Sequence, residues 1–401
     1  MPARRNTRKA REEDPEDLGG PAWINSLNRA IDDLTVNRTS VREEALSVLN
    51  TELTRHYAAD ILESRSEELL TLLRRSVSKG GKEAHLAAQA IALHFVNQGD
   101  LSLGDQEDLF QQVLPLLRKT VKNTDDTTLQ SICLRTLALI TLIAASDIDA
   151  QLARDFVYDV LEEIDDYQVQ CAALHAYGLL CVSSFSQPAM DPDIIHEEIE
   201  KVMPVHEILL ESTDMAVRVA AGENTALLFE LLRTHTGHPE DEEDQDEEVQ
   251  DVPEEYDNMD GLIHTLKELS VDSNRRRNKA DRAEQKSVFR DIVRSVEERD
   301  PPVQELKIGG RVIQFRGWAK ILTLNAFRQS IGQGLQYHLR ANELMHQIFN
   351  YKSGYAAADS DDDSDGWNAG ELSKADKRYV YDESKKMRSK QLREARTRKA
   401  H

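Results

Sequence analysis

One short motif recurs five times in this chain, and its spacing constrains the fold more than any other feature. Val41, Ala45 and Leu46 form the first copy. Leu86, Ala90 and Ile91 follow, then Leu129, Cys133 and Leu134, then Val169, Ala173 and Leu174, and last Val217, Ala221 and Gly222. Each copy opens on an apolar residue and places a small one four positions later. An aliphatic residue comes next in all but the last copy. Residues four apart share one face of a helix. The copies are 45, 43, 40 and 48 residues apart, long enough for a pair of helices. One such pair cannot cover its own apolar face, so neighbouring pairs must stack and share a core.

These steps centre on the period near 40–47 residues of armadillo and HEAT repeats. The expected fold is therefore all-α: an armadillo/HEAT-like α-α superhelix, or solenoid, over residues 21–235. Within it, Val41, Ala45, Leu46, Val48, Leu49 and Leu53 trace one broad apolar face. The small residue lets adjacent helices approach closely. Polar turns such as Asn37-Arg38-Thr39-Ser40 and Thr124-Asp125-Asp126-Thr127 precede the motif and supply caps for the next helix. A stacked array of this kind exposes a long curved surface, which is typically where partners bind.

The rest of the chain divides by composition. Residues 1–20 read as a disordered tail with Arg4, Arg5, Arg8, Lys9 and Arg11 ahead of an acidic block. Residues 236–258 read as an acidic disordered loop, and residues 240–260 hold 13 acidic groups with no Lys or Arg. Helical patterning resumes near Met259. A basic amphipathic segment follows, with Arg275, Arg276, Arg277, Lys279, Arg282, Lys286, Arg290 and Arg294 on one side and Val288, Phe289, Ile292, Val293 and Val296 on the other. Residues 306–316 read as a β-hairpin around Gly309-Gly310. Helices are expected again over 318–330 and 335–349. Residues 352–370 form an acidic linker in which Ser360 and Ser364 sit among aspartates, a pattern that suits acidophilic phosphorylation. Residues 371–401 carry 11 Lys or Arg against five acids.

Net charge is −22 over 401 residues, but the two acidic runs supply most of the excess, so a nucleic-acid partner is not excluded. Local density matters more. Lys385, Lys386, Arg388, Lys390, Arg393, Arg396, Arg398 and Lys399 are spaced to neutralise phosphates, and Tyr379 and Tyr381 just upstream could stack on bases. The alternatives for this tail are a nuclear-import signal or a solvated extension. Cys133, Cys171 and Cys181 form no C-x-x-C pair and read as buried reduced thiols in helices. No apolar run is long enough to span a bilayer. No catalytic signature survives inspection. Gly80-Gly81-Lys82 lacks the rest of a phosphate-binding loop, Gly332-Gln333-Gly334 reads as a turn, and His338 and His346 read as structural. No metal, cofactor, membrane or small-molecule substrate is expected.

Two stretches resemble a known family. One runs from Asn278-Lys279-Ala280-Asp281-Arg282 to Lys286-Ser287-Val288-Phe289-Arg290-Asp291. The other is Gly334-Leu335-Gln336-Tyr337-His338-Leu339 with Asn342-Glu343-Leu344 and Ile348-Phe349, and Trp318 and Asn325-Ala326-Phe327 fit between them. These resemble the C-terminal domain of the interferon-related developmental regulator family, which places that domain at 259–351. The repeats resemble its N-terminal domain more loosely. The resemblance implies a binding role. Relatives are described as ribosome-binding proteins whose C-terminal segment enters the tRNA and mRNA path of inactive particles, and as transcriptional co-regulators acting with histone-deacetylase complexes. The reading is thus a non-enzymatic ribosome-binding factor tied to translational silencing. The alternative is a nuclear co-regulator scaffold. The expected location is the cytoplasm, with the nucleus as the second site.

Overall fold

The computed structural model describes residues 21–98, 103–187, 190–236, 256–271, 279–308 and 311–350. Helices pair along the chain in two rows. One row holds α1 (Ala22–Asp33), α4 (Ser66–Val77), α6 (Leu103–Asn123), α8 (Asp147–Glu163), α10 (Pro192–Leu210) and α12 (Met259–Val271). The other holds α2 (Thr39–Arg55), α5 (Gly81–Val96), α7 (Thr127–Ala144), α9 (Tyr167–Phe185), α11 (Met215–Thr236) and α13 (Lys279–Glu297). Each member of the second row packs on its partner in the first and on the next of its own row. A short α3 (Ala59–Glu63) joins the first two pairs. The chain is an all-α helical-repeat solenoid with one small sheet.

All five motif copies fall in the second row, on α2, α5, α7, α9 and α11. Their small residues Ala45, Ala90, Cys133, Ala173 and Ala221 are all buried. Gly222 breaks the pattern for a physical reason. A Cβ there would lie 2.8 Å from the Ile292 Cδ1 and 3.1 Å from the Phe289 ring, so α13 seats directly on the glycine.

Neighbouring positions repeat too. Three residues before each copy, Asp126, Asp166 and Asp214 accept backbone N–H bonds at the starts of α7, α9 and α11. The first two copies lack this cap, since Arg38 and Glu83 occupy the position. Glu83 instead accepts a two-pronged ion pair from Arg42, at 2.8 and 2.7 Å, which bolts α2 to α5. One residue into the motif, Arg42, Gln130, Gln170 and Arg218 each donate back to a carbonyl of the preceding turn or helix end. The repeat is therefore a hydrogen-bonding unit as well as a packing unit.

Helix α7 meets the length and apolarity of a membrane span by composition. Its neighbours explain that character, because α5, α6 and α9 all pack against it. Cys133 and Cys181 are buried, Cys171 is half-buried, and all three are free thiols.

The stretch after the acidic run packs onto the array. α12 and α13 continue the stacking, and Arg218 Nη2 donates to Gln285 Oε1 at 2.7 Å across the α11–α13 contact. Strands β1 (Val303–Ile308) and β2 (Arg311–Arg316) pair antiparallel, with Lys307 opposite Val312. The first strand starts three residues earlier than the apolar pattern indicates. It begins directly after Pro301-Pro302, and its exposed Val303 and Glu305 give no buried face to read. Then α14 (Trp318–Ile331) crosses the second row and touches α5, α7, α9 and α11. Glu230 of α11 anchors the start of α14, accepting from Trp318 N at 2.7 Å and Ala319 N at 3.0 Å.

A single helix over 335–349 is not what forms. Asn342 divides it into α15 (Leu335–Ala341) and α16 (Glu343–Ile348). Its Oδ1 accepts from Leu344 N, and its Nδ2 donates to Val96 O at 2.8 Å. His338 Nε2 donates to Leu53 O at 3.0 Å. The segment that starts against α11 and α13 thus ends against α2 and α5. The second row thus carries the chain's own C-terminal helices, α14 on α5, α7, α9 and α11 and α15 on α2.

Candidate functional site

The predicted basic residues divide by whether they are described. Arg275, Arg276, Arg277, the side chains of Lys279 and Arg282, and the tail residues Lys385, Lys386, Arg388, Lys390, Arg393, Arg396, Arg398 and Lys399 lie outside the described residues, as do Ser360 and Ser364. Lys286 is half-buried on α13, and Arg290 one turn on is exposed. Arg294 is committed to Asp291 and Asp300 at 3.2 and 3.1 Å.

The fold adds cations that the sequence did not single out. Lys307 and Arg316 stand on the exposed face of the hairpin, and Lys320 on the exposed side of α14. α14 packs on α11 and on β2, and α11 packs on α13, so the elements that carry these groups are neighbours. The opposite character appears over residues 147–214, which hold 16 acidic residues against two basic ones. Of those two, Arg154 is buried against Glu198 at 3.2 Å, and Lys201 is paired with Asp155 at 2.8 Å. The surface of α8 and α10 therefore repels phosphate.

A second feature lies under α14. The residue right after each motif copy is Ser47, Ala92, Arg135, His175 and Glu223 in turn. The last three come from α7, α9 and α11 and line one cavity of about 240 Å³ that α14 roofs with Leu322, Asn325 and Arg328. Repeat register thus builds a row of a cation, an imidazole and a carboxyl on successive helices. Arg135 carries no hydrogen bond or ion pair among the described residues, and its Nε is fully buried. Burial lowers its pKa. Glu223 likewise has no hydrogen-bond partner there, and burial pushes its carboxyl up to about 7. His175 is pushed down to about 4 by burial, with the Arg135 charge adding to the shift. Its Nδ1 stands 4.0 Å from Cys171 Sγ. Burial raises that thiol to about 11, which makes it a poor nucleophile. Among the described residues no group of three or more His, Cys, Asp or Glu side chains is arranged to hold a metal ion.

The sequence has relatives among known proteins. The profile of the family described as Interferon-related developmental regulator (IFRD) matches residues 3–297. The chain belongs to that family. The match contains the signature at 278–291, while the signature at 334–349 lies beyond it. The chain is 30% identical over 330 residues to rat "Interferon-related developmental regulator 1", covering 79% of this chain and 69% of that protein. It is 30% identical over 341 residues to mouse "Interferon-related developmental regulator 2", covering 80% and 72%. A fission yeast protein, Schizosaccharomyces pombe, named as uncharacterized, is 27% identical over 378 residues, covering 86% and 80%. Membership in this regulator family accords with the helical repeat fold. The family names do not point to a reaction.

Proposed function

We propose that this family member is a non-enzymatic ribosome-binding factor linked to translational silencing or dormancy. The solenoid is the body that docks on rRNA and ribosomal proteins, and residues 371–401 enter an RNA-lined channel. The observation that carries the reading is the separation of charge between elements. Arg290, Lys307, Arg316 and Lys320 are exposed and have no ion pair among the described residues. They continue the basic run at 275–286, and the tail adds 11 Lys or Arg against five acids. Unpaired cations are the groups that exchange counterions for phosphate. Residues 147–214, with 16 acids against two bases, would face away from RNA.

The alternative, a nuclear co-regulator scaffold, draws on the surface of the repeats. α14 packs on the second row, so partners would have to use the other row or displace the helix. Sucrose-gradient sedimentation of cell extracts at low salt tests the ribosomal reading. The protein is expected to travel with ribosomal particles, and deletion of 371–401 to return it to the top without changing its location. Failure to leave the top of the gradient in both growing and starved cells rejects the proposal. Loss of nuclear entry on deletion, with sedimentation unchanged, favours the scaffold.

A further inference from the structure

The cavity under α14 carries an inference that does not depend on RNA binding. Its three polar residues from the repeats share one repeat position, which is Ser47 and Ala92 in the first two copies and becomes Arg135, His175 and Glu223 in the last three. Opposite charges therefore stand on alternate helices, with the imidazole between them. Two helix spacings of roughly 8–10 Å each separate their backbones. A guanidinium and a carboxylate reaching inward cannot close that distance on each other. Both stay without a partner among the described residues, although the Arg135 Nε is shut off from solvent. Unsatisfied polar atoms in a built cavity call for a ligand or ordered water. The space is far larger than one or two waters need.

The walls narrow the ligand's chemistry. Ala138, Ala176, Leu179 and Val219 line the slot between the charges, and no Phe, Tyr or Trp does. A nucleobase would find no aromatic stacking platform other than the His175 ring. An aliphatic stem with a charge at each end meets every surface. Gln329 and Ser330 at the end of α14 supply further polar atoms beside the slot.

We propose that this cavity binds a free basic amino acid of the arginine or lysine type, with its carboxylate at Arg135 and its cationic end at Glu223. Arg328, held by its 2.7 Å bond to Asn325, stands beside the slot as a second cation. The ligand would bridge α7, α9, α11 and α14, so its occupancy would tighten the C-terminal helices on the array.

The test is calorimetric titration of the full chain with L-arginine and L-lysine, and with two analogues that each lack one charge. Citrulline lacks the cationic end, and agmatine lacks the carboxylate. Arginine is expected to bind about tenfold or more tighter than either, the factor for losing one charged hydrogen-bonded contact. Glu223→Gln should erase the preference over citrulline and leave that over agmatine. Arg135→Met should do the reverse. Glu223→Gln removes a charge the fold buries, so it is expected to remain folded, and circular dichroism verifies this. If Arg135→Met does not fold, the Glu223→Gln comparison alone decides. No heat or thermal stabilisation with millimolar arginine or lysine overturns the proposal. Equal binding of arginine and citrulline by the unmodified chain also overturns it.

Discussion

Lowering the pH from 7 to 4 is expected to unfold the protein, with a midpoint above the range in which ordinary carboxylates titrate. His94, His175, His206 and His338 are each pushed down to about 4, in every case chiefly by burial. In the unfolded chain they take up protons near pH 6.5. A histidine whose folded pKa is depressed contributes stability that is whole above pH 6.5 and lost as pH falls toward 4. Each is worth up to about 3 kcal/mol, so the four together reach on the order of 10 kcal/mol. That is comparable with the entire stability of a typical domain. Glu223 acts in the opposite sense. Its raised pKa gives stability that is present below pH 4.5 and lost as pH rises through 7, and at about 3 kcal/mol it does not offset four imidazoles.

The geometry says why protonation is costly. Neither ring nitrogen of His206 has a hydrogen-bond partner, and its ring meets Tyr177 edge-on at 5.8 Å. His338 uses Nε2 as a donor to Leu53 O and stands 3.3 Å from Asn342 Nδ2 through Nδ1. A second ring proton would abolish the acceptor. Far-ultraviolet circular dichroism against pH measures the midpoint, and His206→Phe should lower it by removing one titrating group. A midpoint at or below pH 4 that His206→Phe leaves unmoved contradicts the assignment.

Gly334→Ala is expected to cost about 4 kcal/mol, among the largest effects of any single methyl group in this protein. Gly334 has an ordinary φ of −74°, so backbone freedom is not the reason. A Cβ there would sit 1.8 Å from Thr54 O and 2.7 Å from Thr54 C. Backbone atoms at a helix end cannot swing aside as a side-chain tip can. The C-terminal helices would have to lift from α2. Lifting them breaks the His338–Leu53 and Asn342–Val96 hydrogen bonds, which join residues 285 and 246 positions apart. Gly332 is the control. Its φ is +58° and its ψ −127°, a conformation L side chains disfavour, but a Cβ meets nothing within 4 Å, so Gly332→Ala should cost about 1–3 kcal/mol of backbone strain alone. Urea unfolding of the two variants compares them. Equal losses would mean that the close approach to Thr54 does not hold the segment in place.

The repeat phase was legible because close stacking demands a small residue once per helix pair, and Ala45, Ala90, Cys133, Ala173 and Ala221 supply it. The Asp caps at 126, 166 and 214 were legible in part, since the polar turn before α7 was visible but the substitution of the Arg42–Glu83 pair earlier in the chain was not. The path of α14 across four helices left no local trace. Its anchors, Glu230 to Trp318 and Leu53 to His338, are contacts between distant parts of the chain, while periodicity reports only each helix's own apolar face. The cavity had a signal in the sequence at the position directly after each motif copy. That position changes from Ser47 and Ala92 to Arg135, His175 and Glu223, from small and neutral to charged or titratable. The cations at Lys307, Arg316 and Lys320 are not legible as a group because they are isolated along the chain and lie on elements that only the packing of the hairpin on α14 makes neighbours.

Binding of the full chain to purified ribosomes over a series of salt concentrations tests the central claim most directly. Affinity is expected to fall steeply and log-linearly with salt. Replacing Arg290, Lys307, Arg316 and Lys320 by Gln should lower that slope by about three, at roughly 0.7–0.9 per lost phosphate contact. Replacing Lys385, Lys386, Arg388, Lys390, Arg393, Arg396, Arg398 and Lys399 should lower it further and abolish binding at physiological salt. Ribosome affinity that neither varies with salt nor responds to either set of replacements would contradict the claim that these cations meet RNA phosphate.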